Sequence, residues 1–150
     1  MKIADVRQRG SDDCGICAVS AGLQSIGVDL SPEQLRDIML ANSLDGTDPR
    51  AIETALRQYC GVNVIAGEMD LEDVKSFTDR GKPVVAVIPG HYVTIGSVSD
   101  GGDRARVAYH DPLLGEVHMQ AADFVRQWSD LGRMGEEYNQ FGIAFWPRTV

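Results

Sequence analysis

A cysteine at the mouth of a helix and a set of histidines farther along the chain are the residues here best suited to chemistry. Cys14 precedes Ile16, Val19, Leu23 and Ile26, which recur at the spacing of one helical face. Asp12 and Asp13 stand where they can cap that helix, and Gly27 suits its end. A thiol attacks a carbonyl as the thiolate, and a free cysteine, with a pKa of about 8.5, is mostly protonated at neutral pH. The unpaired N–H groups and partial positive charge of a helix start favour the thiolate. A neighbouring imidazolium favours it further and can later protonate a leaving amine. The implied chemistry is nucleophilic attack on a carbonyl.

Three histidines can supply the base: His91, His110 and His118. His91 opens a β-branched stretch straight after Pro89-Gly90, where a side chain can project into a cleft. His110 and His118 lie in or near strands with less distinctive surroundings. The base needs an acceptor on its other ring nitrogen. Asp111 can reach His91 if the two flanking strands pair through the Asp100–Asp103 turn. A tetrahedral intermediate needs donors for its oxyanion. The Cys14 N–H is one candidate, and the side-chain amide of Gln8, six residues upstream, is another.

These residues need elements to hold them. Ser31-Pro32-Glu33-Gln34 reads as N-cap, N1 and capping-box partner of a helix running to about Ala41. Gly46-Thr47-Asp48-Pro49 starts another, which runs to about Cys60. Val62 to Ala66 is a short strand, and Asp70 caps a helix over Leu71 to Arg80. The second half changes character. Pro83 to Ile88 is a continuous apolar run, as in a buried strand. Strands follow over His91 to Val98 and Arg104 to His110, with Asp100-Gly101-Gly102-Asp103 as the turn between them. Glu116 to Met119 is extended, and Ala121 to Ser129 is helical with Phe124 and Trp128 on one face. Gly142 to Trp146 reads as a last strand. Helices before strands predict an α+β fold in a single domain, residues 1–150.

Composition bounds the function. The chain has 150 residues, 43% apolar and 24% charged, with a net charge of −8. A balance this acidic, with no basic patch, argues against a phosphate-backbone ligand. No apolar run approaches the roughly 20 residues of a membrane span, and the start lacks a signal-peptide core. A cytoplasmic location is the resulting expectation. Cys14, Cys17 and Cys60 are an odd number, which fits reduced thiols rather than a disulfide framework. Cys14-Gly15-Ile16-Cys17 also spells C-x-x-C. A thioredoxin-like site needs a βαβ unit that thirteen preceding residues cannot hold. A zinc site lacks a second C-x-x-C or paired histidines.

Several segments together resemble a known family. Gln8-Arg9-Gly10-Ser11-Asp12-Asp13-Cys14-Gly15 resembles the opening of the C39 peptidases, the bacteriocin-processing, double-glycine leader peptidases. Gly90-His91-Tyr92-Val93-Thr94-Ile95 resembles their glycine-histidine-aromatic strand, and Asp111-Pro112-Leu113-Leu114-Gly115 their Asp-Pro-x-x-Gly segment. The resemblance spans roughly residues 6 to 129. It implies a papain-like cysteine peptidase, with a helical half packed on an antiparallel sheet. Cys14 would be the nucleophile, His91 the base, Asp111 the orienting residue and Gln8 the oxyanion donor. It implies cleavage after a Gly-Gly type pair in secreted peptide precursors, narrow S1 and S2 pockets, and no metal or organic cofactor. The expected partners are a peptide or precursor substrate and an export transporter, of which the chain is the cytoplasmic peptidase part or companion. The chain is expected to be a monomer. Two other functions fit the same residues: an idle peptide-binding module, and a papain-like amidase or isopeptidase with another substrate.

Overall fold

The chain folds as a six-stranded antiparallel sheet with helices on both faces, in a computed structural model that describes residues 1–9, 14–129 and 138–149. Three helices come first: α1 (Cys14–Ser25), α2 (Pro32–Ala41) and α3 (Pro49–Tyr59). Their starts are built as the sequence predicts. Ser31 and Gln34 close a reciprocal capping box on α2, with Pro32 at its first position, and Asp48 caps α3. The expected caps of α1, Asp12 and Asp13, lie outside the described residues. After β1 (Val62–Glu68), Asp70 and Asp73 form a second capping box at the start of α4 (Leu71–Asp79).

The remaining strands are β2 (Val84–Ile88), β3 (His91–Val98), β4 (Arg106–Asp111), β5 (Gly115–Gln120) and β6 (Phe141–Pro147), with α5 (Ala121–Trp128) before β6. β2 and β3 join through the two residues Pro89-Gly90, so that Ile88 pairs with His91. Gly90 has φ +69, the left-handed conformation that such a short hairpin needs and glycine supplies. The turn expected at Asp100–Asp103 includes a short 3-10 helix, Gly102–Arg104, which delays the start of β4 to Arg106.

Strand order is β1-β6-β2-β3-β4-β5. β6 therefore lies between β1 and β2, although it comes last in the chain. All five residues of β2 are buried, because the sheet is covered on both faces. On one face, α1, α2 and α3 enclose Val85, Val87, Tyr92, Ile143 and Phe145. On the other, Val74 of α4 and Phe124 and Trp128 of α5 pack with Val84, Val93, Ile95 and Tyr109. The helices thus divide between the two faces. The cause lies in alternate β2 residues, which are apolar on both sides and require cover on both.

Phe145 is fully buried and pairs with Val64 of β1. Phe145→Ala should cost about 3–5 kcal/mol of stability, the usual range for an aromatic truncated in a packed core. Urea unfolding measures this, and a loss under about 1 kcal/mol would show that β6 does not anchor the sheet.

Candidate active site

The candidate residues meet where β3 begins and β4 ends. Cys14 is the first residue of α1 and is half-buried at the edge of the core. His91 is the first residue of β3, and Asp111 is the last residue of β4. A hydrogen bond within the backbone framework sets the helix against the strand. Thr94 Oγ1 donates to the Ala18 carbonyl at 2.6 Å. Ala18 is about one helical turn after Cys14, and Thr94 is three residues after His91. This bond fixes how far α1 slides along β3, and so where the thiol stands relative to the imidazole.

A close approach at Gly15 serves the same end. A Cβ there would stand 2.8 Å from the Gly46 carbonyl oxygen and 3.0 Å from Ile52. Only glycine lets the start of α1 settle this deeply against the loop before α3. Tyr92 braces that loop, its hydroxyl donating to the Thr47 carbonyl at 2.5 Å. Burial pushes the Tyr92 phenol up, and the nearby Cys14 and Asp48 push it further. It stays a donor throughout the ordinary pH range.

The imidazole of His91 lies between two partners. Its Nε2 is 2.8 Å from Asp111 Oδ1. A carboxylate only accepts, so Nε2 carries the hydrogen and Nδ1 is left to face the thiol. The hydrogen bond with Cys14 holds the His91 pKa above its ordinary value. Burial opposes this, and the hydrogen bond and charge of Asp111 reinforce it. Asp111 is 6% exposed. Its Oδ1 also accepts from the backbone N–H of Leu113 at 2.7 Å and of Leu114 at 3.3 Å. These bonds close the short turn to Gly115, with which Asp111 pairs. A buried carboxylate without such donors would be costly.

The other candidates fall as follows. Gln8 is half-buried, and its backbone N–H donates to the Pro112 carbonyl at 3.0 Å, beside the turn that follows Asp111. His110 is buried, with its Nε2 beside Asp5 Oδ1 and the backbone nitrogen of Val6. His118 is on the edge strand β5, exposed, 3.7 Å from Glu116. Cys17 is buried against Val6 and Ala21, and Cys60 is buried in the main core, where desolvation pushes its thiol up to about 11. Among the described residues no three His, Cys, Asp or Glu side chains converge as a metal site. Residue-type reasoning did not single out Tyr92 or Thr94. Both alternate along β3 toward α1, which was the available signal.

A model of the peptidase C39 family matches residues 2–132. The chain belongs to the peptidase C39 family. Two solved structures share its fold. One is a double glycine motif protease from an AMS/PCAT transporter in complex with the leader peptide, at 19% identity and TM-score 0.72, covering 98% of this chain and 93% of that one. The other is the peptidase domain of Streptococcus ComA, a bi-functional ABC transporter involved in a quorum sensing pathway, at 21% identity and TM-score 0.70, covering 98% of each chain. No curated protein matches the sequence. Among the described residues of this C39 chain, no helix is long and apolar enough to cross a membrane.

The raised pKa of His91 has a defined sign. Its pairing stabilises the fold in full below the unfolded value of about 6.5, and that contribution fades as pH rises through the folded value. In an NMR titration of the ring, wild-type His91 should therefore titrate above about 6.5. Cys14→Ala should lower the midpoint most, and Asp111→Asn should lower it less. A midpoint at or below the ordinary value would contradict the arrangement.

Proposed function

We propose that this C39 chain is a cysteine endopeptidase that removes leader peptides from secreted peptide precursors, cutting after a Gly-Gly type pair. The observation that carries the reading is the continuous path from the Asp111 carboxylate through the His91 ring to Cys14. The similarity to a double glycine motif protease in complex with a leader peptide supports the choice of substrate. The similarity to the peptidase domain of an ABC transporter supports a transporter as the partner, and the proposal places the chain on the cytoplasmic side of an export system.

The reaction follows from the roles. Cys14 Sγ, as thiolate, adds to the carbonyl carbon of the second glycine. The oxyanion that forms takes hydrogen bonds from the Gln8 side-chain amide and the Cys14 N–H. His91 gives its Nδ1 proton to the leaving nitrogen, the C–N bond breaks, and the leader remains as a thioester. His91 then takes a proton from water, hydroxide adds to the thioester, and the C–S bond breaks to release the leader acid. Asp111 keeps the imidazole turned with Nδ1 toward the thiol and offsets its charge while it is protonated. S1 and S2 are narrow, since glycines need no side-chain pocket. No metal or cofactor takes part, and the chain acts as a monomer.

A peptide with a leader ending in Gly-Gly should be cleaved once, after the pair. Cys14→Ala should abolish cleavage and keep peptide binding. Gln8→Ala should lower kcat by about 10²-fold or more with little effect on folding. Mass spectrometry of the products reads the site of cutting. Binding without cleavage by the wild-type chain would replace the peptidase with a peptide-binding module.

A further inference from the structure

His110 is a buried histidine that the proposed reaction does not use, and it fastens the segment before α1 to the end of β4. It is 3% exposed. Its Nε2 lies 2.8 Å from Asp5 Oδ1 and 3.2 Å from the backbone nitrogen of Val6. Two residues farther along each segment, the Gln8 N–H donates to the Pro112 carbonyl. The N-terminal arm thus advances in step with β4, residue 6 beside 110 and residue 8 beside 112. Arg7 fastens it from the side. Its Nε meets Asp5 Oδ1 at 2.7 Å, and a terminal nitrogen lies 3.4 Å from the Leu113 carbonyl oxygen. Gly115, at φ +86, leaves room for that guanidinium, which any Cβ there would overlap.

We infer that His110 is a positioning residue for Gln8. The inference rests on the cysteine-peptidase reading, in which Gln8 donates to the oxyanion. Three consecutive residues of one strand end then serve both halves of the site. His110 holds the arm, Asp111 orients His91, and Pro112 holds the Gln8 backbone. Nε2 cannot accept from Val6 and donate to Asp5 at once, but both partners belong to the arm, so either tautomer ties it down. Nδ1 is buried and meets no hydrogen-bond partner among the described residues. A leucine at this place would bury no unmatched nitrogen. What histidine adds at position 110 is therefore its bonds to the arm.

The test compares His110→Leu and His110→Gln with wild type in three measurements: amide exchange at Val6 and Gln8, kcat and KM on a Gly-Gly peptide, and the rate of Cys14 alkylation. Glutamine carries a donor and an acceptor near the reach of Nε2, so it should keep the arm in place. His110→Leu should speed exchange at both amides and lower kcat by roughly 10-fold or more, since a misplacement of about 1 Å can cost roughly 10²-fold. KM and the alkylation rate, which do not depend on Gln8, should stay unchanged, and His110→Gln should recover most of the kcat. Unchanged amide exchange would overturn the inference. So would a released arm with unchanged kcat, or a loss of alkylation in parallel with kcat, which would mean general disruption. A wild-type chain that cleaves no peptide removes the peptidase reading, and amide exchange in His110→Leu then decides by itself whether His110 holds the arm.

Discussion

Oδ1 of Asp111 takes a hydrogen bond from the His91 ring and two from the backbone of the turn that follows it. Much of the site depends on this shared acceptor. The same atom that meets the His91 imidazole also closes the β4–β5 connection, so the turn fixes where the carboxylate stands beside the ring. Buried carboxylates persist in folded proteins when their lone pairs are matched, and here three N–H groups point at one oxygen. The local sequence makes this possible. Asp-Pro starts the turn, with the aspartate side chain accepting from residues two and three positions on, and Gly115 ends it with a left-handed backbone.

The sheet extends this local arrangement to Cys14. β3 and β4 are neighbours, so the start of one and the end of the other share an edge of the sheet. α1 is carried to the same edge by packing on β3, with the Thr94 hydroxyl on the Ala18 carbonyl as a fixed point. Cys14 and His91 thus belong to different layers of the fold, set against each other by the Thr94 bond and by the close approach at Gly15. A site held on a helix end and two strand ends is stiffer than one held on loops, which suits chemistry that needs the thiol and imidazole at a set separation.

The sequence made local features readable and left long-range ones hidden. The capping box at Ser31, the cap at Asp70 and the break at Pro89-Gly90 were visible because each is settled by a few adjacent residues. The fivefold apolar run of β2 announced a strand buried on both sides. The place of β6 was not visible. Its residues read as a strand, but its insertion between β1 and β2 depends on partners about 60 and 80 residues away, and no local rule encodes that pairing. Cys14, His91, Asp111 and Gln8 were recognisable as candidates by type and by resemblance. His110 read as an ordinary strand histidine, because the arm that meets it lies more than a hundred residues earlier. The double duty of Asp111 was partly legible, since Asp-Pro-x-x-Gly is a turn signal, but its burial required the sheet.

The central claim is that Cys14 and His91 work as a thiolate–imidazolium pair. Its most direct test is the pH dependence of iodoacetamide alkylation, resolved for each cysteine by mass spectrometry, in wild type and in His91→Ala. Cys14 should react well below pH 8 and faster than Cys17 and Cys60, which are buried. His91→Ala should remove that advantage. A Cys14 that reacts no faster than the other two, or whose rate is the same without His91, would contradict the pairing and with it the proposed reaction.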